Sequence, residues 1–271
     1  MYARIQIISK YKIHISFAMV QANHFPATLV VFPEGCNARR AAFYLAAEEY
    51  LAETIQKCNT GCFLFTWILS PTVVYGRNQV LQNEINLEFC RDHNIDVIRR
   101  KSGGGAIYAD GGNIMISLVT EGGPVEPLFQ EYSQKIAEML TSFGAPVTAT
   151  GRNDIIVEPQ SPDIMGSESA GKVCGNAFYH LANSNIVHGT MLYDTDFEMM
   201  MGALIPPTEK LKRHGVESVR QRVALLKDYL TFGVEELKNK IEGYLTSNVL
   251  ELNETDVLEI ERIEQWYYKE I

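Results

Sequence analysis

The chain has 271 residues, 46% hydrophobic and 21% charged, with a formal net charge of −9 at pH 7. That length suits one large domain or two small ones, with a core that needs no covalent staples. The acidic excess, heaviest after Val234, argues against sequence-independent nucleic-acid binding, and no apolar run approaches the roughly 18 residues of a membrane span.

Residues 1–27 carry a few basic side chains and an apolar run, Ile13 to Val20, broken by His14 and Ser16. Without a convincing cleavage site this reads as an N-terminal arm rather than a secretory signal, followed by a single domain over residues 28–271. Leu29 to Phe32 predicts a strand, and Ala41 to Gln56 an amphipathic helix with Leu45, Leu51 and Ile55 among its apolar positions. Phe63 to Leu69 and Thr72 to Tyr75 read as strands broken by Pro71, and Asn83 to His93 as a short helix. Strands at Ile95 to Arg99 and Ile114 to Val119 flank a glycine-rich loop. Glu126 to Phe143 predicts a helix stopped by Gly144 and Pro146. Asp154 to Val157, Lys172 to His180 and Asn185 to Leu192 alternate as strands, and Asp194 caps a helix running to about Leu204. Beyond Pro206 and Pro207 the chain reads as mostly helical to its end. The mixed order predicts an α+β fold, a mixed, mostly antiparallel sheet flanked by helices.

Five cysteines, Cys36, Cys58, Cys62, Cys90 and Cys174, are an odd number and read as reduced thiols of a cytoplasmic protein. Cys58 and Cys62 have ligand-like spacing, but no second pair completes a zinc site.

Four segments carry the chemistry. The first, RRKSGGGAIYADGGNIMISLV (99–119), sets Gly103, Gly104 and Gly105 between strands. Three glycines there mean either a flexible hairpin loop or a close approach of backbone to a ligand, with two arginines ready for an anion. In the second, Gly151 to Asp154 (GRND), Asp154 reads either as a turn residue or as an oxygen ligand for magnesium or a ribose. The third, GSESAGKV at 166–173, nearly matches a phosphate-binding loop, but Val173 lacks the needed hydroxyl and a strand follows instead of a helix. Lys172 is then either a surface lysine or a cation that neutralises a phosphate or polarises a carboxylate under activation. The fourth is His188-Gly189-Thr190, where the histidine is structural or lines a site.

In this order the four segments resemble lipoate–protein ligases, of the wider biotin and lipoate attachment group. The matching residues are RRKSGGGAIYADGGN (Arg99 to Asn113), GRND (Gly151 to Asp154), GKVCGNA (Gly171 to Ala177) and HGTML (His188 to Leu192). Weaker matches lie at Phe43 to Glu53, Val73 to Gln79 and Gly215 to Val223. The resemblance implies ATP-dependent activation of lipoate or octanoate to an acyl-adenylate, then transfer to a lysine of a lipoyl domain. It implies Lys172 as the catalytic group; Arg100, Ser102, Gly103, Gly104, Gly105 and His188 around the acid; and Gln79, Asn153, Asp154, Lys172, Gly175, Asn176, Ala177, Gly189 and Thr190 around the nucleotide. Asp154 would also hold Mg2+. Partners would be lipoyl domains of 2-oxoacid dehydrogenase complexes and the glycine-cleavage carrier protein, with neither nucleic acid nor membrane. Three departures stand out: Ala109 where histidine is common, Tyr179 where a basic residue is common, and a long Asp154 to Lys172 stretch. The chain stops soon after Trp266-Tyr267-Tyr268, about where the large catalytic domain of this family ends. Within the resemblance this leaves open a separate accessory subunit or a transfer-only role. Rival readings are an octanoyltransferase using Cys174 as nucleophile, a biotin ligase, for which only Gly76-Arg77-Asn78 stands in place of the usual signature, and a non-catalytic paralogue that binds lipoyl domains.

Overall fold

The computed structural model describes residues 24–36, 38–57, 61–151, 153–157, 171–205 and 223–268. The sheet is built outward from two long, buried central strands. β6 (Asn113–Glu121) and β10 (Ser184–Leu192) are buried along almost their whole length, as strands covered on both faces must be. They pair antiparallel, His188 opposite Ser117. β2 (Cys62–Trp67), β1 (Ala27–Val31) and β11 (Thr246–Glu251) extend the sheet on one side. On the other lie β9 (Lys172–Leu181), β8 (Asp154–Val157) and β7 (Val147–Ala149). Within this sheet, among the described residues, only the pairings of β1 with β2 and with β11 are parallel. A second sheet sets β3 (Thr72–Tyr75) between β4 (Asp96–Arg99) and β5 (Ile107–Ala109).

Helices cover both faces of the large sheet. On one face α1 (Ala41–Thr54) and α7 (Glu254–Glu264) share a core with Phe63, Phe65, Trp67 and Met115. On the other, α4 (Val125–Ser142) and α6 (Val234–Leu245) pack Tyr132, Ile136, Leu237 and Ile241 against Leu64, Ile116 and Val187. A third cluster, around Tyr75, Ile85 and Tyr108, seats α3 (Leu87–Asp92) and α5 (Phe197–Ala203) under the small sheet.

The mixed, mostly antiparallel architecture is the predicted one, with four local corrections, the first being that α5 is capped by Asp196, which accepts from the Glu198 and Met199 amides, and not by Asp194. The helix expected over Asn83 to His93 is split into α2 (Leu81–Glu84) and α3, because Ile85 leaves the helix to bridge Leu204 and Asn86 caps the next helix by accepting from the Phe89 amide. The mostly helical C-terminal reading misses β11, an edge strand whose Ser247 and Asn248 carry no strand-like apolar pattern. β5 and β7, three residues each, are too short for alternation to register. Most of the N-terminal arm, Cys58, Arg152, residues 158–170 and all but the last residue of the Gly215 to Val223 match lie outside the described residues.

Candidate active site

Where the small sheet meets the large one, the Gly103–Gly105 loop curls over the α1 face of β9 and β10 and encloses a cavity of about 210 Å³. Its apolar wall is Leu45, Trp67, Val74, Ile107 and Met115, and its polar groups come from Arg100, Asn153, Lys172, His188 and Thr190. An outer cleft of about 670 Å³ adjoins it through Gly104, Asn153, Asn176 and Ala177 and is rimmed by Arg77, Phe129 and Phe178.

The glycine loop sits close because glycines permit it. Gly104 has φ +94°, and a β-carbon on Gly76 would stand 2.0 Å from the Gly104 carbonyl oxygen. The Gln79 amide donates to that same oxygen at 3.3 Å. Arg100 lies inside the loop: its guanidinium donates to the carbonyls of Val74 (2.9 Å), Gly103 (2.8 Å) and Gly105 (2.8 Å) and to Ser102 Oγ (3.0 Å). Burial lowers its pKa to about 10, against the opposing pull of the Glu48 carboxylate. Arg100 therefore lines the cavity while its donors are committed to the loop backbone.

Behind the loop runs a buried polar chain. Ser102 Oγ lies 2.8 Å from His188 Nε2, and His188 Nδ1 lies 3.1 Å from both oxygens of Glu48 on α1. Ser117 Oγ donates to Glu48 at 2.6 Å and the Trp67 indole donates to Ser117 at 2.9 Å. A serine, histidine and carboxylate in this order invite comparison with a nucleophile, base and orienting group. However, Ser102 is 2% exposed, lines neither cavity and already accepts from Arg100, so the order braces the loop. Glu48 was not foreseen. Its signal was a carboxylate in a helix otherwise apolar through its first two turns, three residues after Leu45 and four before Ala52, where an ion needs a buried partner.

Lys172 is at the cavity wall, its ammonium 2.7 Å from Asp154 Oδ1, both side chains about one-third exposed. On one regular strand Lys172 and Cys174, two residues apart, would share a face, but here they do not. The register slips between Ile155, opposite Cys174, and Ile156, opposite Lys172, so Val173 is a bulge that reverses the alternation. Lys172 consequently lies over Gly175, where an added β-carbon would be 2.5 Å from Nζ. Cys174 turns into the opposite core, fully buried, its thiol pushed up to about 12 by burial and donating to Asn176 Oδ1 at 3.3 Å.

Asn176 faces that core as well, so it meets the cavity through its backbone, whose N–H donates to Asn153 O at 2.8 Å. Gly189 lies under it: a β-carbon there would meet Asn176 Oδ1 at 2.3 Å and the Tyr132 hydroxyl at 2.9 Å. Thr190 and Ala177 face the cavity. Of the departures noted above, Ala109 is fully buried in β5, and Tyr179 stands under the Arg77 guanidinium, 6.0 Å from its ring centre. Among the described residues no group of three or more His, Cys, Asp or Glu is arranged to hold a metal.

The family described as the lipoyl protein ligase A/B catalytic domain matches residues 40–246. Lipoate–protein ligase 1 of Staphylococcus aureus is 36% identical over 200 residues, 73% of this chain and 57% of that protein, so the chain spans little more than half its length. Among solved structures, a bi-partite lipoate protein ligase studied with its E2 lipoyl domain from Thermoplasma acidophilum aligns with a TM-score of 0.75 at 21% identity, over 91% of this chain and 94% of that one. A lipoate-protein ligase A bound with ATP aligns with a TM-score of 0.69 at 19% identity, over 90% and 96%. At those identities the likeness is one of fold.

Proposed function

The chain belongs to the lipoyl protein ligase A/B catalytic domain family, and from that premise we propose that it is a lipoate–protein ligase acting on lipoate or octanoate. The observation that carries this reading is the Lys172 ammonium, paired with Asp154, at the wall of a narrow apolar cavity. The cavity suits a slender acyl tail and leaves the acid's carboxylate facing a cation.

In the first step a carboxylate oxygen attacks the α-phosphorus of ATP, a P–O bond breaks and pyrophosphate leaves. Lys172 offsets the negative charge that gathers on the carboxyl and α-phosphate oxygens, and its prior pairing with Asp154 fixes its position before charge develops. In the second step a lysine amine of a lipoyl domain attacks the acyl carbon, AMP departs with the bonding pair, and the amine gives up its proton. No protein nucleophile is required. A magnesium ion fits Asp154, since that ion is usually bound by one or two carboxylates together with substrate phosphates; it would neutralise phosphate charge. Asn153, Gly175, Asn176, Ala177, Gly189, Thr190 and Gln79 form the nucleotide side of this reading; Arg100, Gly104, Gly105 and His188 line the acyl side, Gly103 borders the outer cleft, and Ser102 supports the loop from behind.

Acceptors are lipoyl domains, including those of 2-oxoacid dehydrogenase complexes and the glycine-cleavage carrier protein. A cytoplasmic setting accords with the free thiols of Cys36, Cys62, Cys90 and Cys174. The transferase reading draws no support from Cys174, whose buried thiol is held in its unreactive form.

The test is lipoate-dependent exchange of labelled pyrophosphate into ATP. Wild type should exchange, and Lys172→Ala should lose about 10²- to 10³-fold with its fold intact, as when one preorganised stabilising group is removed. Absence of exchange from folded wild type would sink adenylation by this chain alone.

A further inference from the structure

Two fixed charges bound the buried chain behind the loop. At one end is Arg100, which can only donate hydrogen bonds; at the other is Glu48, 3% exposed, which as a carboxylate can only accept them. Between them Ser102 and His188 can each be oriented in either direction. The ends decide. Arg100 Nε–H donates to Ser102 Oγ, so the Ser102 proton is free to go to His188 Nε2, and the His188 proton sits on Nδ1 and points at Glu48. Ser117 and Trp67 add donors that run toward the same carboxylate. Reversing the imidazole would turn a bare Nδ1 lone pair onto a carboxylate and leave the Ser102 proton unused. Every bond in the chain polarises its neighbour in one sense, which strengthens it as a unit.

We infer that Glu48 is a positioning residue: it fixes the Nδ1–H tautomer of His188, so that Nε2 accepts from Ser102 and the glycine loop is held over the acyl cavity. Glu48 lines neither cavity and acts through His188, which does. This deepens the ligase reading and rests on it for the identity of the acid.

Glu48→Gln tests the idea with almost no change of shape. The new amide can still accept from Ser117, but it donates to His188 Nδ1 and moves the imidazole proton to Nε2. Ser102 then receives two donors and its own proton has no acceptor in the chain. The readouts are the 15N imidazole resonances of the full chain, with His188 identified by its loss in His188→Asn, and octanoate affinity by calorimetry. Nδ1–H in wild type, Nε2–H in Glu48→Gln and octanoate binding weakened about tenfold or more would support the proposal, by analogy with supporting-shell losses. Exchange kinetics should place the loss in KM for the acid rather than in kcat, since Lys172 is untouched. A wild-type proton on Nε2, or unchanged octanoate affinity in a variant whose tautomer has flipped, would overturn it. Should Glu48→Gln not fold, Ser102→Ala cuts the same chain at its loop end without leaving a buried charge unpaired; it must weaken octanoate comparably, and unchanged affinity again overturns the proposal. The ligase reading fails on a different result: no pyrophosphate exchange in wild type, with the tautomer and octanoate results as above.

Discussion

The Lys172 side chain lies across Gly175, three residues further along the same strand, so closely that a β-carbon would stand 2.5 Å from Nζ and 2.6 Å from Cε. The obstructing atoms are the far end of a flexible side chain, so Gly175→Ala should fold with little change in melting temperature. It should nonetheless displace the ammonium from Asp154. Pyrophosphate exchange should fall about tenfold to a hundredfold, less than for Lys172→Ala. Exchange at wild-type rate would mean that the folded-back position of Lys172 is not the working one.

Arg100 holds the glycine loop by a planar fork that reaches three carbonyls and one hydroxyl. Lysine keeps the charge but cannot match that fork. Arg100→Lys should leave buried carbonyls without donors and destabilise the chain by about 1–3 kcal/mol, measured by urea unfolding. It should also raise KM for the acid, because the loop covers the acyl cavity. A variant with native stability and native KM would show that the loop does not depend on this residue.

Gly189 is part of the HGT motif, and the space beside it is filled by Asn176 and Tyr132. Gly189→Ala should cost about 1–3 kcal/mol by overpacking. ATP affinity per folded molecule should stay near wild type if the glycine serves packing alone. A selective loss of ATP affinity at unchanged stability would give it a direct nucleotide role instead.

Burial raises the Cys174 thiol from 9.0 to about 12. Between those values the unfolded chain gives up a proton that the folded chain keeps, so stability must fall as pH rises. The contribution is whole below about pH 9 and gone by about pH 12. Cys174→Ala should flatten that alkaline limb of the melting curve. Native Cys174 should also resist alkylation at pH 8, and the alanine variant should retain pyrophosphate exchange. Rapid alkylation of folded protein, or a trapped acyl thioester, would revive the transferase reading.

Long, strongly patterned elements were readable in advance: α1, α4, β9 and β10 sit within a few residues of their predicted positions. The failures share a cause. β11 is an edge strand that binds through backbone to β1 and needs no apolar alternation. The bulge at Val173 is a register event between two strands, and no single-strand period records it. At the site, the motif residues flagged themselves by glycine spacing and order, and the cavity gathers Arg100, Lys172, His188 and Thr190 from three distant segments. The division of labour among them was not legible. Whether an arginine meets a ligand or a loop carbonyl depends on where Val74 and Gly105 end up, and those are fixed only by pairing between strands.

The end of the described chain reaches back to its middle. Lys101, one residue before Ser102, forms an ion pair with Glu49 at 2.6 Å and lies 4.1 Å from the Trp266 ring centre, while the Tyr267 hydroxyl donates to the same Glu49 at 2.5 Å. During synthesis, then, the glycine loop leaves the ribosome long before its last support does. The cavity can take its final shape only after residue 267 emerges, and a protease that clips between α6 and α7 would loosen a site far upstream in sequence without touching it.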